Sequence, residues 1–199
     1  MLLVGTEAPD NPVAIALKNY RNIKTYQVTL RSKSHNTLEE IRYFYKSTCI
    51  RMEFIRPFPG VVLTYDPAKK EVRLRPFSFA DHVVTFSPDS EIIQSSAGHK
   101  INESDIGSLL GIAARLQSNG KTYITGEESL SGRQTVMMEI TGNGDFNIRG
   151  IHRYDLWLDK TTYLPLKIVA YDQHGRVIEE VLMDDLETDL DLPDSLFHL

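Results

Sequence analysis

From Thr25 onward, one short segment after another alternates apolar and polar residues with the period of two that belongs to β-strands. Tyr26, Val28 and Leu30 alternate with Gln27, Thr29 and Arg31, and Ile41, Tyr43 and Tyr45 with Arg42, Phe44 and Lys46. Ile50, Met52 and Phe54 follow against Arg51, Glu53 and Ile55, then Val61 to Tyr65, then Val72 and Leu74 flanked by Arg73 and Arg75. Further strands are predicted over 121–130, 133–142, 151–159, 164–171 and 176–186. Turns are expected at Asp66-Pro67-Ala68-Lys69 and Asp172-Gln173-His174-Gly175. A sheet of nine or ten strands has to curl, split or close, because open twisted sheets do not stay flat at that width.

Two helices interrupt the pattern. Asp10-Asn11-Pro12 supplies a cap and a proline at the first helical position, and Val13, Ala16, Leu17 and Tyr20 follow at helical spacing, so a helix is expected over 12–22. The second has Asn102 as cap, with Asp105 three residues later. Ile106, Leu109, Leu110, Ala113 and Leu116 form its apolar face, and Asn119-Gly120 stops it. Residues 77–95, with Phe77, Phe79, Val83, Val84 and Phe86, fit neither period. The run from Asp184 to Asp194 is dense in acids and reads as a solvated final strand at the sheet's edge. No repeat or flexible linker divides the chain. The expected architecture is α+β: a curved antiparallel sheet with a few helices, one domain over 12–199 preceded by a tail over 1–11.

Composition and motifs exclude more than they assign. Twenty-seven acids against 22 Lys and Arg give a net charge of −5, which argues against nucleic acid as a partner. The apolar start at Met1 to Val4 falls far short of the ~20 residues of a membrane span, so no transmembrane segment is expected; it is compatible with the remnant of a trimmed export signal. One cysteine, Cys49, rules out an internal disulfide and a cysteine-based zinc site.

Gly120-Lys121-Thr122 lacks the glycine of a phosphate-binding loop, for which Arg115 stands instead. The run Asp185 to Asp189 lacks the glycine of a calcium loop, for which Leu190 stands. Ser129 and Ser131 are not spaced as a nucleophile elbow. The six histidines are scattered, and the adjacent carboxylate pairs point to opposite faces wherever they lie on strands. No catalytic residue, metal site or cofactor is expected, and the chain is not expected to be an enzyme.

The remaining feature is a wide apolar sheet face. Tyr26, Val28, Leu30, Tyr43, Tyr45, Ile50, Met52 and Phe54 line it in the first half of the chain, and Val136, Met138, Ile140, Leu156 and Leu158 in the second. Two readings stand side by side. Either the two helices cover the face as an ordinary core, or too few helices leave an apolar cavity that a lipid fills, a role to which flexible methionines are suited.

The motifs of the C-terminal half resemble a known family. Tyr154-x-Leu156-Trp157-Leu158-Asp159-Lys160-x-Thr162-x-Leu164-Pro165-Leu166-Lys167, then Tyr171-Asp172-x-x-Gly175, then Asp185-Leu186 and Leu192-Pro193-Asp194-x-Leu196-Phe197 resemble the outer-membrane lipoprotein-sorting (LolA/LolB-like) proteins. The resemblance implies an unclosed half-barrel with helices as a lid over an apolar cavity, in the Gram-negative periplasm. It further implies a carrier that holds the acyl chains of a lipid or lipoprotein on the way to the outer membrane, with transport partners at the inner or outer membrane. The alternative on the same scaffold is an envelope-stress-type sensor that binds a regulatory partner. The family's lid arginine falls on Arg51, with Leu109 and Leu110 as lid residues. Arg51 nevertheless has the opposite parity to Ile50, Met52 and Phe54, and alternation alone predicts a cross-strand salt bridge to a glutamate. Trp157 is likewise out of phase with Leu156 and Leu158, and is expected to pack under a helix on the other face.

Overall fold

The computed structural model describes residues 11–34, 37–77, 82–95 and 98–199 of the chain. The tail expected over 1–11 lies, apart from Asn11, outside the described residues, as does Phe79. Asn11 caps the first helix, α1 (Pro12–Tyr20), by accepting from Ala14 N at 3.1 Å, and Pro12 sits in its first turn.

The strands are β1 (Thr25–Ser34), β2 (Thr37–Lys46), β3 (Cys49–Arg56), β4 (Val62–Asp66), β5 (Glu71–Arg75), β6 (Val84–Phe86), β7 (Gly120–Leu130), β8 (Arg133–Gly142), β9 (Arg153–Asp159), β10 (Pro165–Tyr171) and β11 (Val177–Thr188). The eleventh comes from the stretch that fitted neither period: β6 pairs with β5 through only three residues, too few to show an alternation. Two-residue hairpins with both central residues at positive φ, Ser47-Thr48 and Ser131-Gly132, join β2 to β3 and β7 to β8.

All eleven strands form one antiparallel, unclosed sheet in the order β6-β5-β4-β3-β2-β1-β11-β10-β9-β8-β7. It is two meanders fused where the first strand meets the last. The acidic final strand therefore lies in the middle of the sheet and not at its edge. Its outward acids are matched from both neighbours: Arg31 of β1 pairs with Asp184, Gln27 donates to Glu187 at 3.1 Å, and Lys167 of β10 meets Glu180 at 2.8 Å. Sequence-local alternation carries no information about such a long-range pairing.

The crossover between the meanders carries the second helix, α2 (Ile106–Ser118). Its cap is Asp105 and not Asn102: the Asp105 carboxylate accepts from Gly107 N at 2.8 Å and Ser108 N at 3.2 Å, while Asn102 lies in a preceding 3-10 turn over Ile101–Glu103. α2 packs across α1, β8 and β7. A further 3-10 turn, Asp194–Phe197, folds back onto the opposite face, where Phe44, Leu192 and Phe197 form a small second core.

Candidate functional site

Cross-strand register places all thirteen apolar residues singled out from the sequence on one face of the sheet. Tyr26 faces Tyr45, Val28 faces Tyr43, Tyr43 faces Met52, Met138 faces Leu156, and Leu156 faces Ile168. That face has two fates. Over β8 and β9 it is filled: Val136, Met138, Ile140, Leu156 and Leu158 are buried in one cluster with Leu110, Ala113 and Leu116 of α2 and Val13 and Ala16 of α1. Over β1 to β5 and the far ends of β9 to β11 it is open, and a cavity of about 630 Å³ remains.

Of the thirteen, Tyr26, Val28, Leu30, Tyr43, Met52 and Phe54 line the cavity. Tyr45 and Ile50 share the face but do not line the cavity, and the five residues of β8 and β9 belong to the filled core, so one part of the face is ordinary core and the other is the wall of an open cavity. Ile41, Leu63, Leu74, Ile168, Val181 and Met183 also line the cavity. The alternation of β2, β4, β5, β10 and β11 carried that signal, but only the β1–β11 pairing brings the two groups together.

The cavity is roofed by residues 92–95 and 98–105, between β6 and α2. Ile93 and Ile101 turn inward from it, and Leu109 adds a side chain from the first turns of α2. Phe58 and Ile92 line the cavity yet are 62% and 78% exposed, which puts them at its mouth. Two polar contacts tie the roof down. His99 Nε2 lies 2.9 Å from Glu179 Oε2 on β11, and Glu103 Oε2 lies 2.8 Å from Arg149 Nη1 in the loop between β8 and β9. The hydrogen bond to Glu179 raises the His99 pKa above its ordinary value, against the lowering effect of burial.

The lid assignments divide. Leu109 lines the cavity, but Leu110 is fully buried in the filled core and cannot gate it. Arg51 lies on the outer face, as alternation requires. Its Nε contacts Glu53 Oε1 at 2.7 Å and its Nη1 donates to Leu196 O at 2.8 Å, so it holds down the C-terminal 3-10 turn. Its glutamate is two residues along the same strand and not across it; the cross-strand partner of Glu53 is Arg42, at 3.5 Å. Trp157 is also on the outer face, but no helix among the described residues packs on it: its Nε1 donates to Glu128 at 2.7 Å and the Lys167 ammonium sits 4.8 Å from its ring centroid.

One wall of the cavity is aromatic. Tyr26 stacks on Tyr43 at 5.8 Å and on Tyr45 at 4.9 Å, and Tyr20 closes on Tyr26 edge-on at 6.4 Å. Their hydroxyls are anchored to the start of α2. Tyr20 donates to Asp105 at 2.7 Å, Ile106 N donates to the Tyr26 oxygen at 3.3 Å, and the Tyr43 hydroxyl lies 3.4 Å from Ser104 Oγ. Burial pushes the pKa of Tyr20, Tyr26 and Tyr43 well up, so all three remain protonated. The close approach of α1 depends on Gly107, where a Cβ would stand 2.3 Å from the Tyr20 ring.

The motif that carried the resemblance proves to be turn chemistry. Asp159, 3% exposed, accepts from Thr161 N at 2.9 Å, Thr162 N at 2.7 Å, Thr162 Oγ1 at 3.0 Å and Arg133 Nε at 2.8 Å, which fixes the turn into β10 with Tyr163 at positive φ. Asp172 does the same for the next hairpin through His174 N and Arg176 N. Asp159, Thr162 and Asp172 build the scaffold and do not line the cavity, whereas Tyr154 at the start of the motif does.

The model of the MucB/RseB N-terminal domain matches residues 77–198, more than half of the chain. The chain belongs to the MucB/RseB N-terminal domain family. No curated protein matches it. Among solved structures, MucB in the MucA/MucB complex of Pseudomonas aeruginosa is 16% identical with a TM-score of 0.58 over 94% of this chain and 59% of that one. An uncharacterised conserved protein of Thermus thermophilus is 14% identical with a TM-score of 0.56, covering 94% of this chain and 90% of that one. The lipoprotein LppX of Mycobacterium tuberculosis is 9% identical with a TM-score of 0.54, covering 92% and 96%. At such identities the likeness is one of fold. The shared architecture is the unclosed antiparallel sheet with helices packed on one face. The chain spans about three fifths of the length of that MucB chain.

Proposed function

We propose that this MucB/RseB-family domain is a binding protein that holds the acyl chains of a lipid or lipoprotein in its open cavity, and that it works in the periplasm without catalysing a reaction. The observation that carries the reading is the apolar cavity of about 630 Å³, formed where the helices leave the sheet uncovered. That volume lies in the range of small-molecule sites, and each buried methylene contributes ~0.8 kcal/mol. The roof between β6 and α2 serves as the lid, and release requires the contacts of His99 and Glu103 to open. Among the described residues no helix is long and apolar enough to cross a membrane. In this reading the protein meets its lipid in solution or at a membrane surface.

Native mass spectrometry of the purified protein, followed by organic extraction, tests this. A co-purifying lipid, or saturable binding of one added lipid per chain, supports the reading. Protein that is bare and takes up no lipid overturns it. Because Trp157 lies on the outer face, uptake is followed by displacement of an apolar dye and not by tryptophan emission.

A second reading, a regulatory sensor, draws on the family match and on the likeness to a MucB solved with MucA. Here the lipid is the signal, and loading the cavity changes the hold on a partner protein. Carrier and sensor separate on one measurement. A carrier hands its lipid to acceptor vesicles, whereas a sensor keeps it and changes its affinity for the partner.

A further inference from the structure

The two halves of the apolar face meet at the tyrosine cluster. On one side lies the cavity, whose lining includes Tyr26 and Tyr43. Behind them are Tyr20 and Tyr45, then Ile50, none of which the cavity reaches. The wall is therefore two rings deep, and its inner pair is stacked with an interplanar angle of 12°. It is also fastened. Three hydroxyls meet Ser104, Asp105 and Ile106 at the start of α2, and Gly107 lets the Tyr20 ring close against the helix. A stack bonded at its rim and packed from behind cannot swing aside as a lone flexible side chain would. The aliphatic part of the lining differs in kind, since Met52, Leu30, Ile101 and Leu109 carry no polar group that could fasten them in one rotamer.

We propose that Tyr26 and Tyr43 form the depth stop of the cavity and set the longest acyl chain that the protein accepts. The inference rests on the acyl-chain reading and adds a chain-length limit to it. Below the limit each extra methylene is buried and affinity rises about fourfold. Beyond it, further methylenes stay in water at the mouth, past Phe58 and Ile92, and affinity levels off.

Calorimetric titration of the full chain with saturated fatty acids from decanoate to stearate reads the limit directly. Tyr43→Ala removes one ring of the stop and should move the plateau to longer acids, raising affinity several-fold for acids just above the original limit. Tyr43→Phe keeps the ring and should leave the plateau in place. Val28 faces Tyr43 across the β1–β2 pair and lines the cavity, so Val28→Phe should shorten the accepted chain. Val28→Phe decides the matter if Tyr43→Ala fails to fold, which circular dichroism checks. Folded variants that keep the original plateau, or a wild-type protein with no plateau, overturn the depth stop while leaving the acyl reading intact. A wild-type protein that binds no fatty acid removes the acyl reading itself, and the stop with it.

Discussion

His99 on the cavity roof and Glu179 on β11 face each other with Nε2 and Oε2 2.9 Å apart, and Glu103 and Arg149 complete a small charged group around them. The Glu179 hydrogen bond, followed by the Coulombic pull of Glu179 and Glu103, raises the His99 pKa, while burial and Arg149 lower it; the net direction is upward. A histidine whose folded pKa exceeds its unfolded value near 6.5 stabilises most below that value, and the contribution fades as pH rises through the folded pKa. The roof should therefore hold most tightly in mild acid and loosen above neutrality. Hydrogen exchange at residues 98–103 should speed up between pH 6 and pH 8 by more than the intrinsic rate, and His99→Gln should abolish the excess. An exchange profile unchanged by His99→Gln would show that the contact does not fasten the roof.

Met52 and Met138 lie on the same sheet face, one at the cavity and the other beneath α2. Met52→Asp places a carboxylate where solvent can reach it and should abolish lipid uptake with modest loss of stability. Met138→Asp buries an unpaired charge at a site 1% exposed and should cost about 3–5 kcal/mol. Urea denaturation beside dye displacement separates the two outcomes, and equal stability losses would contradict the division of the face.

Arg51→Ala should leave lipid binding unchanged and free the turn at Asp194–Phe197, at about 1–3 kcal/mol for the lost charged hydrogen bonds. Faster amide exchange at Leu196 and Phe197 is the expected signature. A change in lipid affinity without that loosening would restore a gating role to this arginine.

Gly107→Ala inverts a familiar sign. In an open helix the change gains up to about 1 kcal/mol, but here the new methyl meets the Tyr20 ring at 2.3 Å and Asp105 Oδ1 at 2.8 Å. Overpacking of this kind costs about 1–3 kcal/mol, and a lower melting temperature is expected.

Asp159 is held below the usual carboxylate range. Burial pushes its pKa up, but the bonds from Thr162 and Arg133 outweigh that effect. A depressed folded pKa gives stability that is present above the unfolded value near 3.9 and is lost as pH falls through the folded one. Asp159→Ala should cost about 2–4 kcal/mol at neutral pH and less in strong acid, as chemical denaturation across pH will show.

Alternation within each strand is a local property, and Tyr26, Met52, Met138 and Leu156 announce their shared face through it. Turn chemistry is equally local, so Asp66, Asp172 and the Asn119-Gly120 stop are readable directly. Whether a residue on that face meets helix or void depends on where α2 lands, which no spacing within a strand encodes. Met138 and Met52 are indistinguishable in sequence for that reason. The roof residues His99 and Glu103 are not legible for another reason: their partners, Glu179 and Arg149, are distant in the chain, and the segment between β6 and α2 has no period.

The pairing of Thr25–Ser34 with Val177–Thr188 at the centre of the sheet also dictates when the cavity comes into being. Without the last strand, β1 and β10 would be unpaired edges and the two meanders separate half-shells. A chain with every strand but that one has most of its sheet and no enclosed cavity. The two walls of the cavity are joined by one of the longest-range pairings in the chain, so the cavity belongs to the completed fold and to no part of it.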